Sequence, residues 1–354
     1  MKTVIHIVGA RPNFIKAAPL VKEMNKLNIH NLLVHTGQHY DYNMSDRFFE
    51  ELDIKPDYYL NAGSDTGTIM QECEKFFNRQ PDLVIVYGDV NSTVAATLVA
   101  KKMQIQVAHI ESGLRSYDRR MPEELNRIVT DSISDLLFVT CQDGLINLKK
   151  EGIDSSKCYM VGNTMIDTLV KLESKFDKST ILSELKLTKK DYILVTMHRP
   201  SNVDNKESLK RLVNSIGKLS KEYDIVWPLH PRTALKLQNY GTTITGDFKI
   251  KYIPPAGYID FMCLQKNAKL IITDSGGVQE ESSYFNTPCL TVRENTERPV
   301  TSDFGTNKLI GIKYENIESE IKKIDYSIKS DIEYWDGNSS KRIVKILKER
   351  LDVK

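Results

Sequence analysis

The chain has no Cys-x-x-Cys pair; Cys73, Cys141, Cys158, Cys263 and Cys289 form an odd, scattered set. That spacing excludes a zinc knuckle and a disulfide framework, so a reduced, cytoplasmic, metal-free chain is expected. No apolar run reaches the roughly 18–20 residues that span a bilayer. The opening MKTVIHIVGARP is too short an apolar stretch for a signal peptide and continues into a strand–turn–helix pattern. No block of Lys or Arg stands out and the net charge is +2, so neither nucleic acid nor a membrane surface is expected as a partner. The first glycine turn, GARPNFIK (residues 9–16), lacks the spaced glycines of a dinucleotide fingerprint. Nicotinamide and flavin chemistry are therefore not expected, and no cofactor is. Low-complexity segments are missing too.

What remains is an ordinary globular composition, 40% hydrophobic and 27% charged over 354 residues, long enough for about two domains. Apolar strand candidates are residues 2–8, 32–35, 83–87, 106–110, 136–139 and 158–161, with helical spacing between them, as in Phe14, Ala17, Ala18, Val21 and Met24. A further helix is expected over Met44–Leu52, and Pro122 opens another. Strands alternating with helices imply a parallel α/β sheet. After the polar stretch 171–190 the pattern restarts, with strands at 192–196, 225–229, 250–253, 270–273 and 289–292. The expected architecture is two Rossmann-like doubly wound domains, 1–170 and 171–338. A serine-capped amphipathic helix in 339–354 then packs back on the first domain. Two such domains in series put ligand sites at the strand C-terminal ends, in the crevice between them.

Charged groups at those strand ends are the candidates for function. DSGGVQEES (274–282) follows an apolar run, breaks at Ser-Gly-Gly and continues into Val278–Phe285 as the first turns of a helix, with the glycines at its N-terminus, where free N–H groups and the helix dipole favour a phosphate. Ser275, Gly276 and Gly277 form that turn; Glu280 and Glu281 are expected in the first helical turn, suited to a sugar hydroxyl or to the dipole. An ordinary capped turn fits the same stretch. Arg11 and Lys16 surround the first helix N-terminus and suit an anionic leaving group. Asp89 (YGDVNST) and Glu111 (HIESGLR) lie just past apolar runs, where a carboxylate also caps a following helix. Glu123 (MPEELNRI) starts a helix, where acidic residues are favoured anyway. Three carboxylates at one crevice repel one another, which raises at least one pKa and permits acid/base work. His198 (VTMHRPSN) and, more weakly, His230 (PLHPRT) end strands, whereas His6, His30 and His35 look structural.

With GARPNFIK, TGQHYDYNM, YGDVNST, HIESGLRS, MPEELNRI, TMHRPSN, HPRT, DSGGVQEES and TERP in this order, the chain resembles the non-hydrolysing UDP-N-acetylglucosamine 2-epimerases from Gly9 to about Gly311. The resemblance implies a GT-B fold with the active site in the interdomain cleft and a homodimer. It also implies interconversion of UDP-N-acetylglucosamine and UDP-N-acetylmannosamine for surface polysaccharide precursors, without NAD or metal. In this chemistry a proton leaves C2, UDP is expelled to give 2-acetamidoglucal, and UDP adds back after reprotonation. By the resemblance Asp89, Glu111 and Glu123 occupy the acid/base positions and His198 that of the catalytic histidine. Arg11 and Lys16 match the diphosphate-side cations, Ser275, Gly276 and Gly277 the phosphate turn, and Glu281 the ribose contact. Phe261 matches a uracil-side position and Arg298 a further nucleotide-binding arginine.

The sequence departs from the family at Asn13, where Glu is frequent, and in NAGSDTGTIM (61–70), which is shorter than the usual Gly-rich loop. That loop and the Gln38-His39 motif build a regulatory UDP-sugar site in some bacterial members, so substrate activation is not carried over. TGQHYDYNM also occurs in relatives acting on UDP-2,3-diacetamido-glucuronate, which leaves the sugar open between the two. A GT-B glycosyltransferase is a more distant alternative.

Overall fold

A computed structural model describes residues 1–38, 48–241 and 249–353. The chain forms two compact units, Met1–Lys171 with Glu333–Lys354, and Leu172–Ile332. The first holds a seven-stranded parallel sheet: β1 (Thr3–Val8), β2 (His30–His35), β3 (Tyr58–Tyr59), β4 (Leu83–Tyr87), β5 (Gln106–Ser112), β6 (Leu136–Val139) and β7 (Cys158–Met160), in the order β3-β2-β1-β4-β5-β6-β7. The second holds a six-stranded parallel sheet of β8 (Tyr192–Thr196), β9 (Asp224–Pro228), β10 (Ile250–Ile253), β11 (Leu270–Thr273), β12 (Cys289–Thr291) and β13 (Asn307–Leu309), in the order β10-β9-β8-β11-β12-β13. The expected parallel α/β build is therefore present in both units.

Both faces of the second sheet are covered, which explains why its strands are apolar without alternation. Ile193, Val195, Ile225, Trp227, Leu270 and Ile272 join one buried cluster, whereas Tyr192, Leu194, Val226 and Ile271 join another. Period-two side-chain alternation assigns each set to its own face. Two strands escape the hydrophobic pattern, β3 (Tyr-Tyr, exposed) and β13 (Asn-Lys-Leu), because each is too short to show a period. Residues 48–52 are helical, but the rest of the helix expected over Met44–Leu52 lies outside the described residues, as do His39, Tyr40 and Asp41.

The last helix, Ser339–Leu351, packs on the helix Arg11–Met24 of the same unit. Its cap differs from the expectation. Ser339 is the first helical residue, and the buried Asp167 carboxylate accepts from the Ser339 and Ser340 amides at 2.9 and 2.6 Å. A remote carboxylate thus satisfies the orphan donors that a serine side chain normally would.

His6 on β1 is structural, as its sequence context suggests. Its Nε2 lies 2.7 Å from Asn31 Oδ1 and its Nδ1 2.5 Å from the Tyr87 hydroxyl. Asn31 donates its amide N–H groups to the Val21 carbonyl and Asn25, so its oxygen accepts from His6 Nε2–H. Burial pushes this ring from 6.5 down to about 4, against the opposing effect of the Asn31 hydrogen bond. A depressed histidine is protonated first in the unfolded chain. Stability is then flat above about pH 6.5 and falls as pH drops toward 4. The expected loss at pH 5 is about 2 kcal/mol. Urea unfolding at pH 7 and pH 5 checks it, because this part of the pH slope should disappear in His6→Asn.

Candidate active site

In the first sheet the strand order reverses direction between β1 and β4, and in the second between β8 and β11. Ligands of open parallel sheets bind outside the strand C-terminal ends at such switch points. At the first, Gly9 follows β1 so closely packed that a Cβ would stand 1.9 Å from Ser92 Oγ and 2.7 Å from Thr36 Oγ1. Asn13, the departure noted above, ties the turn together. Its Oδ1 accepts from the Gly9 and Ala10 amides at 3.1 and 3.2 Å, and its Nδ2 donates to the Tyr87 carbonyl at 2.9 Å.

Lys16 is buried, and its Nζ donates to the buried Glu111 carboxylate in an ion pair. Gly88 makes room for that pair, since a Cβ there would lie 3.1 Å from Lys16 Nζ and 3.2 Å from Glu111 Oε2. Gly88 also has φ +61°, a left-handed conformation that glycine adopts without strain. Glu111 itself sits at φ +73° where the β5–β6 register shifts between Ile110 and Ser112. A left-handed residue other than glycine costs on the order of 1–3 kcal/mol and persists only where neighbours over-determine it.

Asp89, two residues beyond β4, is bound by Arg127, a buried guanidinium on the helix Pro122–Ile133. Asn126 of that helix donates to the Asp89 carbonyl at 2.8 Å. Asp89 does not cap the next helix; the cap position is Val90, without a side-chain bond. Glu123 is in the first turn of the Pro122–Ile133 helix, three and four residues before Asn126 and Arg127 and so on the face that meets Asp89. The neighbouring Glu124 is buried and accepts from the Ser116 and Tyr117 amides at 2.8 and 3.0 Å. Of the three carboxylates, Lys16 pairs with Glu111 and Arg127 with Asp89.

Arg11 opens the first helix, and its guanidinium lies over the Phe48 ring, 4.4 Å from the centroid.

At the second switch point, Asp274 follows β11 and is fully buried. Its carboxylate accepts from the His198 and Arg199 amides at 3.1 and 2.9 Å and from Asn202 Nδ2 at 2.9 Å. It also faces His198 Nδ1 at 3.2 Å, in a partly exposed ring. The His230 ring stacks on His198 with centroids 5.2 Å apart, while its own Nδ1 accepts from the Arg232 amide and caps the helix Pro231–Asn239.

Ser275 is the cap position of the helix Gly276–Tyr284, and no side chain occupies its cap bond. A Cβ on Gly276 would meet Arg298 Nη1 at 2.6 Å. Arg298 is held by Glu280 at 3.0 Å and lies 3.6 Å from Glu297, which pairs in turn with Arg293 at 2.9 Å. One expectation is corrected here. Glu280 and Glu281 are not in the first helical turn; Glu280 binds Arg298, and Glu281 accepts from the buried Gln265 at 2.5 Å. Phe261, half-buried on the helix Tyr258–Asn267, packs against the cluster containing Leu194, Leu264 and Val278.

Sequence reading missed Arg127 and Asp274 as partners of Asp89 and His198. The run EELNR contains the only available signal for Arg127, helical spacing from Glu123; nothing in sequence joins Asp274 to a histidine 76 residues earlier.

Carboxylates held by buried cations at one strand-end cluster, and an arginine-flanked glycine helix start at another, equip an α/β protein for proton transfer and for an anionic ligand. A profile of UDP-N-acetylglucosamine 2-epimerases matches residues 22–348. The chain is 45% identical to UDP-N-acetylglucosamine 2-epimerase of Methanococcus maripaludis, over 96% of this chain and 97% of that one. It is 38% identical to UDP-2,3-diacetamido-2,3-dideoxy-D-glucuronate 2-epimerase of Pseudomonas aeruginosa, over 97% and 99%. Its fold is similar to the crystal structure of the Methanocaldococcus jannaschii UDP-GlcNAc 2-epimerase in complex with UDP-GlcNAc and UDP, with a TM-score of 0.90 at 41% identity, covering 99% of this chain and 100% of that one. The chain belongs to the UDP-N-acetylglucosamine 2-epimerase family and is an isomerase.

Proposed function

We propose that this chain inverts C2 of UDP-N-acetylglucosamine to give UDP-N-acetylmannosamine by elimination and re-addition of UDP. The observation that carries the reading is the carboxylate set Asp89, Glu111 and Glu123, two of its members seated on buried cations at adjacent strand ends. One carboxylate accepts the C2 proton; the C–H electron pair forms the C1=C2 bond as the C1–O bond breaks and UDP departs. A second carboxylate or His198 then delivers a proton to the opposite face of C2, and the returning phosphate oxygen attacks C1. Such acid–base help supplies about 10²–10⁴-fold in rate.

We assign the departing diphosphate to the Ser275–Gly277 helix start with Arg298 beside it, where helix dipole and guanidinium favour negative charge. Glu281 takes the ribose, Phe261 the uracil side and Arg11 the diphosphate. Lys16, placed on the diphosphate side by the resemblance, is instead assigned to holding Glu111, because the two are already paired in a buried site. The product suits surface polysaccharide precursor synthesis.

The identity to the Pseudomonas aeruginosa diacetamido-glucuronate epimerase supports a second reading with the uronate as substrate. Proton NMR of the purified protein with each UDP-sugar in turn tests both. The appearance of the manno epimer from UDP-N-acetylglucosamine supports the first; turnover of the uronate alone replaces it with the second, and turnover of neither overturns both.

His198→Ala is expected to lower turnover about 10²-fold while UDP still raises the thermal midpoint, because the phosphate turn is untouched. Activity near wild type removes His198 from the chemistry.

A further inference from the structure

We propose, resting on the 2-epimerase reading, that His109 is a positioning residue whose buried ring bridges the Gly88 carbonyl and Asp131 and so fixes the turns that present Asp89 and Glu111. The ring is fully buried in β5, in a strand whose neighbours Val107, Ala108 and Ile110 are apolar. Its Nε2 is 2.8 Å from the Gly88 carbonyl oxygen, and a carbonyl only accepts, so Nε2 carries a proton. Its Nδ1 is 2.7 Å from Asp131 Oδ1. The other Asp131 oxygen receives Arg115 Nη1 at 2.7 Å and the Gly113 amide at 3.1 Å. Arg115 in turn forks onto Glu151 with two bonds of 2.7 Å. Burial works to raise the Asp131 carboxyl, but His109 and Arg115 outweigh it and hold the group below its ordinary range.

The bridge acts on backbone that belongs to the site. Gly88 immediately precedes Asp89; its amide donates to the Ile110 carbonyl at 2.9 Å, and its own carbonyl accepts from His109. Ile110 immediately precedes Glu111, and Gly113, two residues beyond it, is tied to Asp131. The left-handed Glu111 therefore lies between two pinned points, which is the over-determination that such a backbone needs. A bulge held only by apolar packing has nothing to fix its peptide planes, and a displacement near 1 Å costs about 10²-fold in rate. His109 makes no demand on substrate contact; its effect runs through Gly88 and Glu111.

Two substitutions separate the halves of the bridge. In His109→Asn the amide reaches the position of Nδ1, keeping the Asp131 bond and losing the Gly88 bond. In His109→Gln it reaches the position of Nε2 and keeps the Gly88 bond. Both are assayed for kcat, KM and the UDP-induced rise in thermal midpoint, beside wild type. His109→Asn is expected to lower kcat about 10²-fold with KM and the UDP shift unchanged, and His109→Gln to recover at least tenfold of that loss. Equal kcat in the two variants, or a loss in KM and UDP binding rather than kcat, overturns the proposal. If the Asn variant does not fold, His109→Leu, which keeps neither bond, takes its place: kcat at least tenfold below that of the Gln variant supports the bridge, and equal kcat in the two overturns it. An inactive wild-type protein overturns the 2-epimerase reading and this proposal with it, whereas an active wild type with indifferent variants overturns the proposal alone.

Discussion

Glu111→Gln is expected to reduce turnover by about 10²–10⁴-fold and to destabilise the folded chain by about 3–5 kcal/mol. The first effect follows from removing a proton-transferring group. The second follows from Lys16, whose ammonium is buried and loses its counter-ion when the carboxylate becomes an amide. Breaking one partner of a buried pair costs more than removing both, since the surviving charge stays desolvated. Lys16→Met in the same chain should therefore return most of the stability and none of the turnover. Urea unfolding and turnover, measured on Glu111→Gln and on the double variant, check the two effects separately. A double variant as unstable as the single one would show that the pair is not what holds Glu111.

Gly276→Val is expected to abolish the thermal stabilisation that UDP confers. At a ligand concentration 100-fold above Kd that stabilisation is about 2.7 kcal/mol. A Cβ at this position meets Arg298 Nη1 at 2.6 Å, and the guanidinium has little freedom to withdraw, being buried and held by Glu280. The branched side chain also covers the first amides of the helix, the groups assigned to the diphosphate. Over-packing this buried turn should itself cost the ligand-free protein about 1–3 kcal/mol, so the UDP shift is read against the variant's own midpoint. A normal UDP shift in Gly276→Val moves the diphosphate away from this helix.

The parallel α/β build is legible in sequence because β1, β4 and β11 are mostly apolar, β-rich runs, each followed by a glycine turn and helical spacing. Strand ends are legible for the same reason, and Asp89, Glu111, His198 and Asp274 lie at them. What those residues touch is not legible. Lys16 and Glu111 are 95 positions apart, and Arg127 and Asp89 38 apart, joined only by sheet order and by a register shift that no local pattern announces. His109 hides in the same way, as a polar residue inside an apolar strand whose partners are a backbone carbonyl and a carboxylate 22 positions away. The misplacement of Glu280 and Glu281 has a local cause. The helix starts at Gly276, which moves both carboxylates past the first turn and onto Arg298 and Gln265.

The C2 proton decides the central claim. Incubation of the protein with UDP-N-acetylglucosamine in D2O, followed by NMR at C2 of both epimers, reports whether that bond is broken and remade with solvent. Elimination and re-addition at Asp89, Glu111 and Glu123 predicts deuterium at C2 of the manno epimer and, with time, of the recovered gluco epimer. A manno epimer that retains protium at C2, or a complete absence of exchange and epimer, contradicts it.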